Sequence, residues 1–179
     1  MRLAETLAGA CAGTLGEAVA GVILHGSLTL DDYVPGRSDG DLLAIVDDPL
    51  SDAQLDALTW AVARQRLGVP GRIDLRVVTR QVAASPAPAP PMEAYVEVVP
   101  GSGVRVERRH PGERDLVVEF PACHAHGRSL AGRGHGRAGP PDGGAWRRSR
   151  WSMGRKAAQP IWSSRPSSQL GTASTSQPA

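Results

Sequence analysis

The sequence has few cysteines, a single lysine and no long apolar run. Its two cysteines, Cys11 and Cys123, lie far apart in the chain and do not suggest a disulfide framework. No stretch approaches the roughly 20 apolar residues that a membrane-spanning helix needs, so we expect no transmembrane segment. Glu5 and Glu17 interrupt the apolar N-terminal segment, and a signal peptide is therefore not expected either. The expected compartment is a reducing cytoplasm.

Acidic residues become scarce in the last third of the chain. Residues 1–120 carry 11 arginines and 17 acidic residues, whereas residues 121–179 carry nine basic residues and a single acid, Asp142. Three of the four tryptophans also belong to this second part. Such a break in charge and composition marks a boundary between two kinds of polypeptide.

Before that boundary, short apolar runs alternate with helical patterns, which predicts an α/β (α+β) fold built on a mixed sheet. Apolar residues four positions apart predict a helix over 3–19, and an N-cap at Ser51 predicts a second helix over 52–67. Buried strands are predicted at 22–25, 42–46 and 73–78. We expect both helices to cover one face of the sheet that these strands form.

A second group of elements follows a Pro/Ala segment over 85–91, which we expect to be extended. A glycine-containing turn then predicts a hairpin between strands at 94–99 and 104–107. A further, short helix is predicted within 115–130, with a late start or a kink at Pro121.

These patterns predict three parts: a core domain over 1–110, the beginning of a helical domain over 111–131 and a tail over 132–179. Gly, Ser, Pro and Arg dominate the tail. Its apolar content is too low to offset the entropy of ordering it, so we expect a disordered segment. Its interleaved arginines and tryptophans suit only nonspecific contact with nucleic acid.

Two short motifs carry the chemistry. The first, Gly26-Ser27, ends the first predicted strand, where a glycine lets the backbone approach a ligand and a serine hydroxyl with free amides can hold a phosphate. In the second, Asp39 and Asp41 lie two positions apart at the start of a strand, so their side chains emerge on the same side. Two such carboxylates can share hard divalent cations. His25, just before the turn, is interpreted as a strand residue rather than a catalyst.

Asp74 supplies a third acid in the next predicted strand. Ile73, Leu75 and Val77 share one face there, whereas Asp74 and Arg76 point to the other. Three carboxylates beside a phosphate-holding turn are what two-metal phosphoryl or nucleotidyl transfer requires. The structural alternatives are a polar turn for the Asp pair and an ordinary acid on the solvent face of an edge strand for Asp74.

Together these residues resemble the nucleotidyltransferase superfamily of the polymerase-beta type, whose motif is a Gly-Ser turn followed by Asp-x-Asp. The flanking sequence is most similar to the aminoglycoside adenylyltransferases that act on streptomycin and spectinomycin. The similarity lies in the segments LHGSLTLDDYVPGRSDGDLLAIV, RIDLRVV, PMEAYVEV and RDLVVEF, and covers roughly residues 1–130.

This resemblance implies a Mg²⁺-dependent enzyme that transfers AMP from ATP to a hydroxyl of an aminoglycoside-type acceptor. Asp39 and Asp41 would bind the metal. Asp74 would complete that metal site or accept the proton of the attacking hydroxyl. Gly26 and Ser27 would hold the terminal phosphates of the nucleotide.

The region after about Leu130 departs from the family pattern. A helical domain that closes over the antibiotic and supplies acidic residues is expected there, but the sequence shows neither helical periodicity nor acids other than Asp142. Its composition resembles GC-rich coding sequence read out of frame, which we state as a hypothesis. Two alternatives to an antibiotic enzyme stay open: an inactive or truncated nucleotide-binding relative, and a minimal nucleotidyltransferase with a protein acceptor.

Overall fold

The computed structural model describes residues 2–65, 72–84, 86–99 and 101–133. Their elements are α1 (Arg2–Leu15), β1 (Val19–His25), β2 (Gly40–Val46), α2 (Asp52–Ala63), β3 (Ile73–Thr79), α3 (Arg80–Ala84), β4 (Met92–Val99), β5 (Gly103–His110), α4 (Leu116–His126) and β6 (Arg128–Ala131). Two short 3₁₀ turns, Gly16–Ala18 and Gly26–Thr29, flank β1. Among these residues, none of the helices has the length and apolar character needed to cross a membrane.

The strands form one mixed sheet in the order β5-β4-β3-β2-β1-β6. Strands β2 and β3 run parallel, and the other neighbouring pairs run antiparallel. Because a parallel pair needs a crossover connection, the chain passes through α2 between β2 and β3. The α/β fold with a mixed sheet confirms the prediction from sequence. The predicted hairpin is also present, as the antiparallel pair β4 and β5.

Helices α1 and α2 cover one face of the sheet, as the apolar spacing predicts. Their buried side chains form a single cluster with alternate residues of the strands. The cluster includes Leu7, Cys11, Leu55, Leu58, Val22, Leu24, Leu42, Ala44, Leu75 and Val77. Burial of each large aliphatic side chain contributes about 1.5–3 kcal/mol relative to leaving it exposed.

Helix α4 covers the opposite face of the sheet. Its apolar residues Leu116, Phe120 and Cys123 join a second buried cluster, together with Ile23 from β1 and Leu43 from β2. As a result β3 is buried along its whole length, on both faces. The alternative of an acid on the solvent face of an edge strand is therefore wrong, because β3 lies between β2 and β4 and Asp74 is buried.

The first predicted helix is too long at its C-terminus. Helix α1 ends at Leu15, since Gly16 adopts a φ of +56°. That left-handed conformation is a common way to end a helix, and glycine adopts it without strain. Val19, which the spacing of four assigns to the helix, instead begins β1.

The second predicted helix is confirmed at its beginning. The Ser51 hydroxyl accepts a hydrogen bond from the backbone N–H of Gln54, and the Gln54 side chain accepts one from the backbone N–H of Ser51. This reciprocal capping box satisfies two backbone donors of the first turn. The described part of the helix ends at Ala63, and residues 66–67 of the predicted range lie outside the described residues.

The segment predicted as a helix within 115–130 divides into α4 and the edge strand β6. Pro121 lies inside α4 without ending it, and the helix stops at His126. Gly127 then turns the chain, and β6 pairs antiparallel with β1. The sequence pattern predicts neither β6 nor the short helix α3. Residues 134–179, most of the predicted tail, lie outside the described residues.

Gly127→Ala is expected to lower the free energy of unfolding by about 1–3 kcal/mol, because the added Cβ would overlap atoms that are already packed there. A Cβ at this position would lie 2.3 Å from the Cys123 carbonyl oxygen and 2.7 Å from Cγ2 of Ile23. The measurement is urea-induced unfolding of the variant and of the unmodified protein.

The matched control is Gly9→Ala in α1, where an added Cβ meets no atom within 4 Å. This change should stabilise the protein by up to about 1 kcal/mol, because alanine favours a helix over glycine. A Gly127→Ala protein as stable as the unmodified chain would contradict the described junction between α4 and β6.

Candidate functional site

The turn after β1 brings Gly26 and Ser27 to one end of the sheet. Gly26 has a φ of +70°, and a Cβ there would lie 2.3 Å from Oδ2 of Asp41. Glycine is required for two reasons: the left-handed backbone and the close approach of the Asp41 carboxylate. The Thr29 hydroxyl donates a hydrogen bond of 2.9 Å to the Gly26 carbonyl oxygen and closes the turn.

A row of polar residues crosses five strands at this end of the sheet. Its members are opposite one another in the strand register: His25, Asp41, Asp74, Glu97 and Arg105. Residues directly opposite in neighbouring strands project from the same face of a sheet. Asp41 and Asp74, which the sequence places in separate strands, therefore lie side by side.

Asp39 lies one residue before β2 and joins the same site. The Ser27 hydroxyl donates a hydrogen bond of 3.4 Å to the backbone carbonyl oxygen of Asp39, which links the turn to the start of β2. The side chain of Asp39 is 40% exposed, whereas that of Asp74 is 5% exposed. The structure thus brings Gly26, Ser27, Asp39, Asp41 and Asp74 together at one end of the sheet.

Arg72, just before β3, lies between two of these acids. Its Nε and Nη2 donate to the two carboxylate oxygens of Asp74, each at 2.9 Å. Its Nε also lies 3.8 Å from Oδ2 of Asp39 and 3.1 Å from Oε1 of Glu97. The hydrogen bonds to Asp74, and a further one of 3.3 Å to the Tyr95 hydroxyl, raise the pKa of the Arg72 guanidinium.

A second group of charged side chains lies near Asp41 on the same face of the sheet. It consists of His25, Arg76 and Glu119. The guanidinium of Arg76 is 3.1 Å from Oε1 of Glu119 in α4 and 5.4 Å from the centre of the Tyr95 ring. Nε2 of His25 lies 4.0 Å from the other carboxylate oxygen of Glu119. Four buried atoms of this group have no hydrogen-bond partner among the described residues: His25 Nε2, Arg76 Nε and Nη1, and Glu119 Oε2.

Burial shifts the pKa values of Glu119, His25 and Asp41. Burial raises the pKa of Glu119 to about 7, although the positive charge of Arg76 opposes the change. Burial also lowers the pKa of His25 to about 4, and here the charge of Arg76 adds to the effect. For Asp41, burial raises the pKa against the influence of Arg76, and the negative charges of Asp74 and Asp39 raise it further.

The donor chemistry of the site fits a hard divalent cation. Asp39, Asp41 and Asp74 offer carboxylate oxygens, which Mg²⁺ prefers as ligands. Among residues 2–65, 72–84, 86–99 and 101–133, the structure contains no group of three or more Asp, Glu, His or Cys side chains that could hold a metal ion as they lie. Arg72 lies between Asp39 and Asp74 and supplies positive charge there.

Three charged residues of the site, Arg72, Arg76 and Glu119, are not among the residues singled out from the sequence. The signal for the two arginines is an alternation in β3, where Arg72, Asp74 and Arg76 project from one face of an otherwise apolar segment. For Glu119 the signal is its helical spacing, which places it beside the apolar residues Leu116 and Cys123 on the covered face of α4.

Comparison with known proteins bears on the fold. No protein-family model matches the chain, and no curated protein matches it. The fold is similar to the crystal structure of spectinomycin adenyltransferase from Enterococcus faecialis with ATP and spectinomycin, at 16% sequence identity and a TM-score of 0.54. The match covers 74% of this chain and 56% of that one, so this chain spans little more than half the neighbour's length. The similarity shows a nucleotidyltransferase-like fold.

Gly26→Ala is expected to cost more stability than Gly36→Ala. Both glycines have a positive φ, +70° and +78°, but an added Cβ meets Asp41 only at Gly26 and meets nothing within 4 Å at Gly36. The left-handed backbone costs each variant about 1–2 kcal/mol. Displacement of the half-buried Asp41 side chain should cost Gly26→Ala about 1 kcal/mol more. Equal urea-unfolding free energies for the two variants would show that the Gly26–Asp41 contact is absent.

Glu119→Gln is expected to change how stability depends on pH. The folded-state pKa of about 7 lies above the ordinary value of 4.5, so the folded protein binds more protons between these two values. The contribution of Glu119 to stability therefore falls as pH rises from about 4.5 to 7. Glutamine does not titrate, and the variant should gain stability relative to the unmodified protein across this window, by about 1–3 kcal/mol.

The measurement is urea unfolding of both proteins at several pH values from 4.5 to 8. His25, with a folded pKa of about 4 against 6.5, has the opposite effect, since its contribution rises with pH. His25 is present in both proteins, so its contribution largely cancels when their free energies of unfolding are subtracted. Parallel pH profiles would mean that Glu119 is not buried beside Arg76.

Proposed function

We propose that this protein is a nucleotidyltransferase that moves AMP from ATP to a hydroxyl of an aminoglycoside-type acceptor. The observation that carries the proposal is the register of β2 and β3, which sets Asp41 beside Asp74 next to the Gly26-Ser27 turn. The fold similarity to an adenyltransferase crystallised with ATP supports it at the level of the reaction class.

Asp39 and Asp41 would hold the Mg²⁺ that accompanies the nucleotide, and Asp74 would complete the metal site. When bound, the ion supplies charge neutralisation for the triphosphate and for the pyrophosphate that leaves. Carboxylates outnumber arginines at this end of the sheet, where Asp39, Asp41, Asp74 and Glu97 surround Arg72. That excess of negative charge attracts a divalent cation and also a polycationic acceptor.

The turn after β1 would hold the phosphates of the nucleotide. Gly26 lacks a side chain where the backbone must pass close to Asp41. The same absence lets phosphate oxygens approach the backbone amides of the turn. The Ser27 hydroxyl can exchange its hydrogen bond of 3.4 Å to the Asp39 carbonyl oxygen for a stronger one to a phosphate.

Asp74 would act on the acceptor. The acceptor oxygen forms a bond to the α-phosphorus while the bond from that phosphorus to the pyrophosphate oxygen breaks. The hydroxyl proton passes to a carboxylate oxygen of Asp74, because an alcohol is a poor nucleophile at neutral pH without a positioned base. Asp74 suits this task as a buried carboxylate beside Asp41, held by the backbone of a central strand.

Titration calorimetry with ATP and Mg²⁺ is expected to detect nucleotide binding by the full chain. Asp41→Asn and Asp39→Asn should each weaken binding about tenfold or more, which is about 1.4 kcal/mol or more of binding free energy. Both changes remove a negative charge without changing the shape of the side chain. An assay for AMP transfer to spectinomycin and streptomycin then tests the acceptor. We expect transfer that is weak or absent, because the sequence after about Leu130 lacks the acidic, helical pattern expected to position the antibiotic.

The matched control is Asp56→Asn, because Asp56 lies on α2, which packs on the other face of the sheet. That variant should bind Mg-ATP like the unmodified protein. Failure of the unmodified chain to bind Mg-ATP would contradict the proposed reaction class. Strong transfer to an antibiotic would instead contradict our expectation that positioning of the acceptor is impaired.

A further inference from the structure

Nucleotidyl transfer, as proposed above, gives no role to Arg72, although this residue contacts the acids on which the proposal depends. Its guanidinium binds both carboxylate oxygens of Asp74 and lies 3.8 Å from Asp39. We propose that Arg72 is a built-in counter-cation, which competes with a divalent cation for Asp39 and Asp74 and moves onto Glu97 and Tyr95 when that cation binds. This inference rests on the proposed function.

The contact between Arg72 and Asp74 makes this competition direct. The two parallel hydrogen bonds of 2.9 Å occupy both oxygens of the carboxylate in the fork arrangement typical of arginine. A divalent cation seeks the same oxygens and repels a guanidinium a few ångströms away. Asp74 therefore cannot serve both cations well.

Arg72 has a second place to bind on the same face of the sheet. Its Nε already lies 3.1 Å from Oε1 of Glu97, and its Nη2 donates a hydrogen bond of 3.3 Å to the Tyr95 hydroxyl. Glu97 is the register partner of Asp74 in β4, one strand further from Asp41. The Arg72 side chain is 40% exposed, so exchanging one ion pair for another costs little free energy.

The test is a titration of the full-length protein with Mn²⁺ in the absence of nucleotide, with free Mn²⁺ followed by electron paramagnetic resonance. Arg72→Met keeps a long flexible side chain and removes the guanidinium. It should lower the Kd for Mn²⁺ by about tenfold or more, since the competing charge is gone. The matched control is Arg105→Met, which removes a guanidinium that lies 3.6 Å from Glu97 on the side of β5. That control should change the Kd by less than about twofold, because exposed charges are screened at physiological salt.

A second measurement on the unmodified protein removes any dependence on the folding of the variant. Arginine labelled with ¹⁵N gives one Nε–H signal per residue, and the Arg72 signal is assigned by its loss in Arg72→Lys. Addition of Mg²⁺ should shift this signal, since its Nε leaves the 2.9 Å hydrogen bond to Asp74. The Nε–H signal of Arg80, which pairs with Asp47, should not move.

The outcomes separate the two proposals. Tighter binding of Mn²⁺ by Arg72→Met alone, with a shift of the Arg72 signal, supports the competition. Equal affinities in the two methionine variants, or an Arg72 signal that Mg²⁺ leaves unchanged while the ion binds, overturns the role of Arg72 and leaves the proposed function standing. Absence of Mn²⁺ binding in every protein overturns the proposed cation site itself, and the proposed function with it.

Discussion

The candidate site depends on the register of the parallel pair β2 and β3. This pairing joins Gly40 to Ile73 at one end and Val46 to Thr79 at the other, and it places Asp41 opposite Asp74. Because side chains alternate along a strand, a slip of one residue would turn Asp74 to the face covered by α1 and α2. There a carboxylate would lie in the main apolar cluster, at a cost of several kcal/mol. The apolar residues of the two strands thus fix the position of the acids.

The parts of the site that could be predicted from the sequence are the local ones. The Gly26-Ser27 turn follows one apolar run, and the Asp39-Gly40-Asp41 segment precedes another. Their positions at the ends of strands therefore follow from the short-range pattern alone. The first helix and the hairpin follow from the same kind of signal. The end of α1 could have been predicted only from Gly16, whose left-handed backbone outweighs the apolar spacing that continues to Val19.

The parts that could not be predicted depend on contacts between distant segments. Arg76 and Glu119 lie 43 positions apart in the sequence, and nothing local indicates that they pair or that Arg72 reaches Glu97 in β4. Strand β6 forms because Gly127 turns the chain toward the free edge of β1, which is a tertiary contact rather than a propensity. A charged residue in such a segment indicates a functional site only when the structure shows that its face of the sheet or helix is covered.

The most direct test of the account is a crystal structure with Mn²⁺ and a non-hydrolysable ATP analogue, read from the anomalous scattering of the metal. We expect the anomalous peak within coordination distance of the carboxylates of Asp39 and Asp41, with the phosphates of the analogue against the Gly26-Ser27 turn. A metal and nucleotide bound elsewhere on the protein, with Arg72 still paired to Asp74, would contradict the central claim that this end of the sheet is the reaction site.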